Sequence, residues 1–296
     1  MVKVSEIKAL KECNLHGSAA VSVNKLSSLF STVRSSITWV NPSSMIDWNN
    51  IQLKTDMIVI ARNLPPAEFM QNQNLDQVVF ALCKDPKKVF SNCMTELIET
   101  DVISQGKWYD CERRGGINIH SSAIVNCDID KTKIRNIYIG PNVFLSEFVT
   151  IADNVKIGAG TVIGGDGFGF FNDADRQSIR MPHVSGVDIG ANVEIGANTV
   201  IDRGTVSPTV IENDSKIGNL VHIGHNVNIG QNTKIIQQSS ICGSVKIEEN
   251  VWVGGNSVIR DTVIVGKNSV IGVGSTVTKN VPPNETWAGN PAKKIK

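Results

Sequence analysis

Residues 211–281 read IENDSK IGNLVH IGHNVN IGQNTK IIQQSS ICGSVK IEENVW VGGNSV IRDTVI VGKNSV IGVGST VTKNV, and each of these twelve blocks opens on Ile or Val. The openers run from Ile211 through Ile223 and Ile241 to Val277. Four places after each opener stands Ser, Thr or Val, from Ser215 to Val281. A period of six fits neither the 3.6 of an amphipathic helix nor the 2 of a half-buried strand. It is the hexapeptide signature of a parallel β-helix. Each hexad supplies one short strand and one corner of a triangular coil. The opener points inward, and the residue four places on has to be small enough for the corner. Three hexads close a coil, and one coil cannot bury its own inner face, so coils must stack. Asn recurs at the fourth place of the block, as Asn226, Asn232, Asn250, Asn256 and Asn268. A turn there needs a residue that tolerates the left-handed backbone region.

Toward the N-terminus the same register is read at Ile139, Leu145, Ile151, Ile157 and Ile163, with Val143, Val149, Val155, Thr161 and Gly167 at the corners. It breaks at 164–186, resumes at Ile189, Ile195 and Ile201, and slips again at 207–210. The prism is therefore expected over 117–281, with an inserted loop at 164–186 and a short tail at 282–296. Residues 1–100 read as a small α/β domain. KVSEIKALKEC suggests a short amphipathic helix, AEFMQNQN a polar stretch, and SSITWVNP, TDMIVIARNLP and DQVVFALCKDP three strands. DPKKVFSNCMTELIE suggests a helix capped by Asp85 with Pro86 in its first turn. Residues 101–116 are polar and read as a linker.

The chain has 296 residues, enough for about two domains. A net charge of +1 gives no electrostatic case for nucleic acid. No stretch approaches the ~20 apolar residues of a membrane span, and MVKVSEIKALKEC lacks the apolar core of a signal peptide. The six cysteines show no CxxC pairing, which suits a reducing cytoplasm.

The segment from Gly165 to Gly230 resembles the UDP-3-O-acylglucosamine N-acyltransferase family of lipid A synthesis. The GFGF loop (Gly167 to Phe170), the IDRGT corner (Ile201 to Thr205) and the IGHNVNIG hexads (Ile223 to Gly230) carry the likeness. ITWVNP is similar to the nucleotide-contacting ITFxxNP of that family's N-terminal domain. The resemblance covers residues 1 to about 280 and implies a left-handed prism, a homotrimer with active sites between subunits, and a nucleotide-linked sugar as acceptor. Three departures stand out. Ser44 replaces a Tyr, Thr262 replaces a second functional His, and the chain ends WAGNPAKKIK, similar to coenzyme A-dependent hexapeptide sugar acetyltransferases. The donor implied is acyl-coenzyme A as a co-substrate, with acyl carrier protein as the alternative. No tightly bound cofactor and no metal are implied. A non-catalytic trimeric scaffold that binds sugar nucleotides is the reading from another class.

His225 sits in an outward column, and transfer to an amine needs a base of near-neutral pKa. The resemblance makes it the catalytic base; the alternative is an exposed turn histidine. Gly243 lies three hexads beyond and stacks over His225, where the family uses a backbone N–H as oxyanion hole; a plain corner glycine is the alternative. His222 and Asn226 flank the base as candidate substrate contacts. His222-x-x-His225 does not match the spacing of the zinc histidines in γ-class carbonic anhydrases. His183 closes the inserted loop. Phe168 and Phe170 in that loop suit an acyl chain or sugar, or a latch onto another subunit. Asp202 and Arg203 suit a sugar or phosphate, or pair with each other at the corner. Trp39 and Asn41 are candidates for the nucleobase, Trp39 alternatively for the domain core. Asn290, Lys293 and Lys294 are candidates for coenzyme A, or an exposed basic tail.

Overall fold

The computed structural model describes residues 1–18, 20–29, 31–41, 46–73, 75, 77–103, 116–129 and 134–296. Pro42, Ser43, Ser44 and most of the expected linker lie outside them. The chain divides into two compact units, 1–108 and 109–296. No helix among the described residues is long and apolar enough to cross a membrane.

In the first unit a five-stranded sheet runs in the order Asn14–His16, Val78–Leu82, Met57–Ala61, Ser36–Trp39, Lys25–Leu26. The first pair is antiparallel and the others are parallel. All five residues of Met57–Ala61 are buried, as a central parallel strand covered on both faces requires. The helix Pro86–Glu99 has the expected cap, with the Asp85 carboxylate accepting from Lys88 N–H. Two local expectations are corrected. KVSEIKALKEC forms two short 3-10 turns, Val4–Glu6 and Lys8–Leu10, because the Glu96 carboxylate takes the N–H groups of Lys8 and Ala9. AEFMQ, read as polar, is a helical turn, Ala67–Gln71, with Phe69 buried against Trp48.

The second unit is a left-handed parallel β-helix. Among the described residues its three faces are parallel sheets of ten, eight and six strands, the first closed by an antiparallel strand at the tail. The openers Ile223, Ile229, Ile235, Ile241 and Ile247 have no solvent exposure and form one continuous aliphatic core. Burial of one such side chain contributes about 1.5–3 kcal/mol. The corner hydroxyls are buried and donate to a carbonyl of the next coil: Ser215 to Gly230, Thr233 to Glu248, Ser257 to Gly272. This explains why Ser and Thr are admitted at a corner position that must be dry. Asn226, Asn232, Asn250, Asn256 and Asn268 have φ between 55° and 60°, and neighbours stack amide on amide, as Asn232 on Asn250 and Asn268 on Asn284.

The inserted loop and both irregular coils fall at one corner, between the eight-stranded and six-stranded faces. Register pairs Ile163 with Ile201, Ile201 with Ile223, and Ile223 with Ile241. The segments that follow these four openers therefore pile up along a single edge. Gly167, expected at a prism corner, has instead left the coil. The strand Val162–Gly165 bulges against Asp202, and the chain continues into an antiparallel hairpin of Phe170–Asn172 with Ser178–Arg180. The tail is also not a free arm. Thr286–Ala288 adds a strand beside Val270–Ile271, and Lys293–Lys294 folds back on it, capping the prism.

Candidate active site

The stacked corner brings together residues that are far apart in sequence. His225 is half-buried. Its Nδ1 lies 2.9 Å from Oδ1 of Asn226. The Asn226 amide is oriented by its other contacts. Its Nδ2 donates to the Ser207 carbonyl at 2.7 Å, and its Oδ1 accepts from the Thr205 hydroxyl at 2.9 Å. Asn226 Oδ1 is thus an acceptor, Nδ1 of His225 carries the proton, and the lone pair of the neutral ring sits on Nε2. The Asn226 N–H donates in turn to Thr209 Oγ1 at 2.9 Å. The slip at 207–210 supplies two of the groups that hold this network.

Nε2 of His225 faces Gly243. A Cβ on Gly243 would stand 2.7 Å from Nε2 and 2.8 Å from Cε1, so a glycine is what lets the ring lie there. Its backbone is outside the left-handed region, so the requirement is space and not conformation. Among the described residues no acceptor meets the Gly243 N–H.

The Cδ2 corner of the His225 ring, next to Nε2, meets the inserted loop. A Cβ on Gly167 would stand 3.1 Å from His225 Cδ2, 3.1 Å from Asp202 Oδ2 and 3.2 Å from His183 Nε2. The rings of His183 and His225 make an edge-to-face contact with centroids 5.2 Å apart. Asp202 is buried, and its Oδ2 lies 3.1 Å from Nε2 of the exposed His222. The hydrogen bond to Asp202, opposed by burial, raises the pKa of His222 above its ordinary 6.5. Asp202 and Arg203 do not pair with each other. Arg203 instead grips Asp166 of the loop, at 2.7 Å through Nε and 2.6 Å through a terminal nitrogen. Arg180 approaches the same carboxylate at 3.6 Å.

Phe168 is 84% exposed, Phe170 is half covered, and the two rings contact at 5.0 Å. Arg180 lies over Phe170. In the tail, Lys294 is held by Glu285 at 2.7 Å, while Asn290 and Lys293 are exposed. In the first unit the Trp39 ring stacks on Phe90 at 6.2 Å within the core, and Asn41 is exposed. The indole reserved for a nucleobase is thus engaged in packing. Sequence reasoning missed the burial of His183, the hydrogen bond of Asn226 to His225, and the partners of Asp202 and Arg203. Asn226 is the next residue in the chain to His225, but the groups that orient its amide, like the partners of Asp202 and Arg203, come from other coils or from the inserted loop.

Two family models match the prism. Residues 244–279 fit the bacterial transferase hexapeptide of six repeats, and residues 181–203 fit the hexapeptide repeat of succinyl-transferase. Curated protein sequences give no match. Among solved structures, the UDP-N-acetylglucosamine acyltransferase from Campylobacter jejuni is 22% identical over 60% of this chain and 74% of its own, with a TM-score of 0.50. LpxA from Acinetobacter baumannii is 25% identical over 61% and 72%, at 0.45. A putative acetyltransferase from Bacillus cereus is 26% identical over 60% and 84%, at 0.39. Residues 181–203 and 244–279 thus carry hexapeptide repeats of the bacterial transferase type, and the prism shares its fold with the Campylobacter enzyme.

Proposed function

We propose that this chain is an N-acyltransferase that moves an acyl group from a thioester to the amino group of a nucleotide-linked amino sugar. The observation that carries the reading is the tautomer of His225. Its protonated Nδ1 is tied to Asn226, and its basic Nε2 faces Gly243. As the amine nitrogen attacks the thioester carbonyl, Nε2 removes its proton. The Gly243 N–H donates to the oxyanion of the tetrahedral intermediate. Collapse expels the thiolate, which takes up the proton held by His225, and an amide is left.

Acyl-coenzyme A is the proposed donor. From Ile223 to Val277 the register climbs three coils, about 14 Å at the spacing of neighbouring strands. The cap formed by 286–294 lies at the end of that climb, with Ala292 N–H bonded to the Thr276 carbonyl. A long extended thioester arm suits this separation, with exposed Lys293 and Asn290 meeting its charged end. The acceptor is a nucleotide-linked amino deoxysugar. A homotrimer would supply the second wall of an outward-facing site, and the cytoplasm is the compartment in which such a donor is available.

The test is release of free thiol from acetyl-coenzyme A and from a 3-hydroxyacyl carrier protein, in the presence of UDP- and dTDP-linked amino sugars. Release that requires the sugar and disappears in His225→Ala supports the reading. A His225→Ala protein that keeps its full rate rejects the mechanism, and no release from any pair favours a binding scaffold.

A further inference from the structure

His183 ends the inserted loop and is only 2% exposed. Its Nδ1 lies 3.0 Å from the Met181 carbonyl. A carbonyl only accepts, so Nδ1 carries the proton and, in the neutral ring, Nε2 presents a lone pair. That buried Nε2 has no hydrogen-bond partner among the described residues. A buried acceptor without a donor is unfavourable, and where one persists it calls for a function or an unseen partner. The backbone around it is anchored. Val184 N–H donates to the Thr205 carbonyl and Ser185 N–H to the Gly204 carbonyl. Thr205 also donates to Asn226, which holds the base. The loop histidine and the base are therefore fixed to the same corner.

Two acceptors flank the Cδ2 edge of His225: His183 Nε2 and the buried Asp202 Oδ2, each about 3 Å from the point where a side chain on residue 167 would begin. Glycine at 167 keeps that edge clear of side chains, and glycine at 169 makes room for the His183 ring, since a Cβ there would stand 2.9 Å from His183 Cε1. A phosphate or a carbonyl would find no donor in this arrangement. A hydroxyl has one hydrogen, which the base must take. An amine brings the hydrogen the base removes and at least one more for a second acceptor. We propose that His183 is a specificity-determining residue that accepts a hydrogen bond from the acceptor's amino group, selecting nitrogen over oxygen as the acylated atom. This rests on the acyl-transfer reading of the same site.

The test compares wild type with His183→Phe, which keeps the ring and loses the lone pair, and His183→Gln, which restores an acceptor oxygen. Binding is measured by calorimetry with UDP-glucosamine against UDP-glucose, and with dTDP-4-amino-4,6-dideoxyglucose against dTDP-6-deoxyglucose. Turnover is followed by thiol release with the same acceptors. Wild type is expected to prefer the amine, and His183→Phe to lose on the order of tenfold of that preference, with His183→Gln recovering part of it at unchanged melting temperature. A wild type without preference for the amine, or a His183→Phe protein that keeps it, overturns the assignment. If no acceptor supports thiol release, acyl transfer falls while the calorimetric preference still decides the role of His183. If His183→Phe turns over normally and His225→Ala does not, the reverse holds.

Discussion

Nδ1 of His225 donates to Oδ1 of Asn226 across 2.9 Å, and Nε2 is the nitrogen left to act as a base. The neighbour in sequence thus does for the imidazole what a buried carboxylate does in a Ser-His-Asp triad, without adding charge. Asn226 is itself held by Ser207, Thr205 and Thr209. Replacing Asn226 with Ala frees the ring to take the other tautomer. A loss of kcat on the order of a hundredfold is expected, together with a stability cost of about 1 kcal/mol for a residue at φ 60°. Asn226→Asp keeps the acceptor and should retain most of the rate. Thiol-release kinetics beside thermal melting separate the two effects, and equal rates for both variants would contradict this assignment.

Gly243 is the second prediction. An added methyl would meet His225 Nε2 at 2.7 Å, while the backbone there accepts an L residue. Gly243→Ala should fold with a near-normal melting temperature and lose roughly tenfold to a thousandfold in kcat, through a displaced base and a blocked N–H. Activity within twofold of wild type would remove Gly243 from the site.

The Asp202–His222 pair gives a pH dependence of stability. His222 is raised above 6.5 by its hydrogen bond to Asp202. A group whose folded pKa is raised contributes its full stabilisation below the unfolded value and loses it as pH rises through the folded one. The melting-temperature gap between wild type and His222→Gln should therefore be widest below pH 6.5 and narrow above it. His222 is half exposed, so the gap is small and falls further with added salt. A gap that widens with pH would refute the pairing.

Core truncation tests the scaffold. Ile223 has no exposure and is stacked between Ile201 and Ile241. Ile223→Ala should cost about 2–5 kcal/mol in chemical denaturation. The same change at exposed Val258 should cost under about 0.5 kcal/mol. Similar costs at both sites would place the core elsewhere.

The prism was legible because its information is local. Every hexad repeats the same inward aliphatic and small corner, and all but the last turn through the left-handed region, so Ile211 to Val277 announce the coil without any knowledge of partners. The helix Pro86–Glu99 was legible for the same reason, since Asp85 and Pro86 act within one turn. Residues 3–13 were not, because the carboxylate that takes the N–H groups of Lys8 and Ala9 there comes from Glu96.

The amino-acid sequence by itself determined the solenoid, the position of the insertion, and His225 and Gly243 in one column, through a period that fixes which residues face inward and which stack. Only the tertiary structure decided what the outward residues meet. Asp166, Asp202, His222, His225 and Gly243 descend from four successive coils at one edge, and the antiparallel hairpin of 170–180 returns His183 to that edge. Hydrogen bonds between coils then set the partners: Asp202 with His222, Arg203 with Asp166, and His225 with an Asn226 held by the coil below. Such pairings depend on the lengths of insertions and on short-range geometry across stacked backbones, which no periodicity encodes.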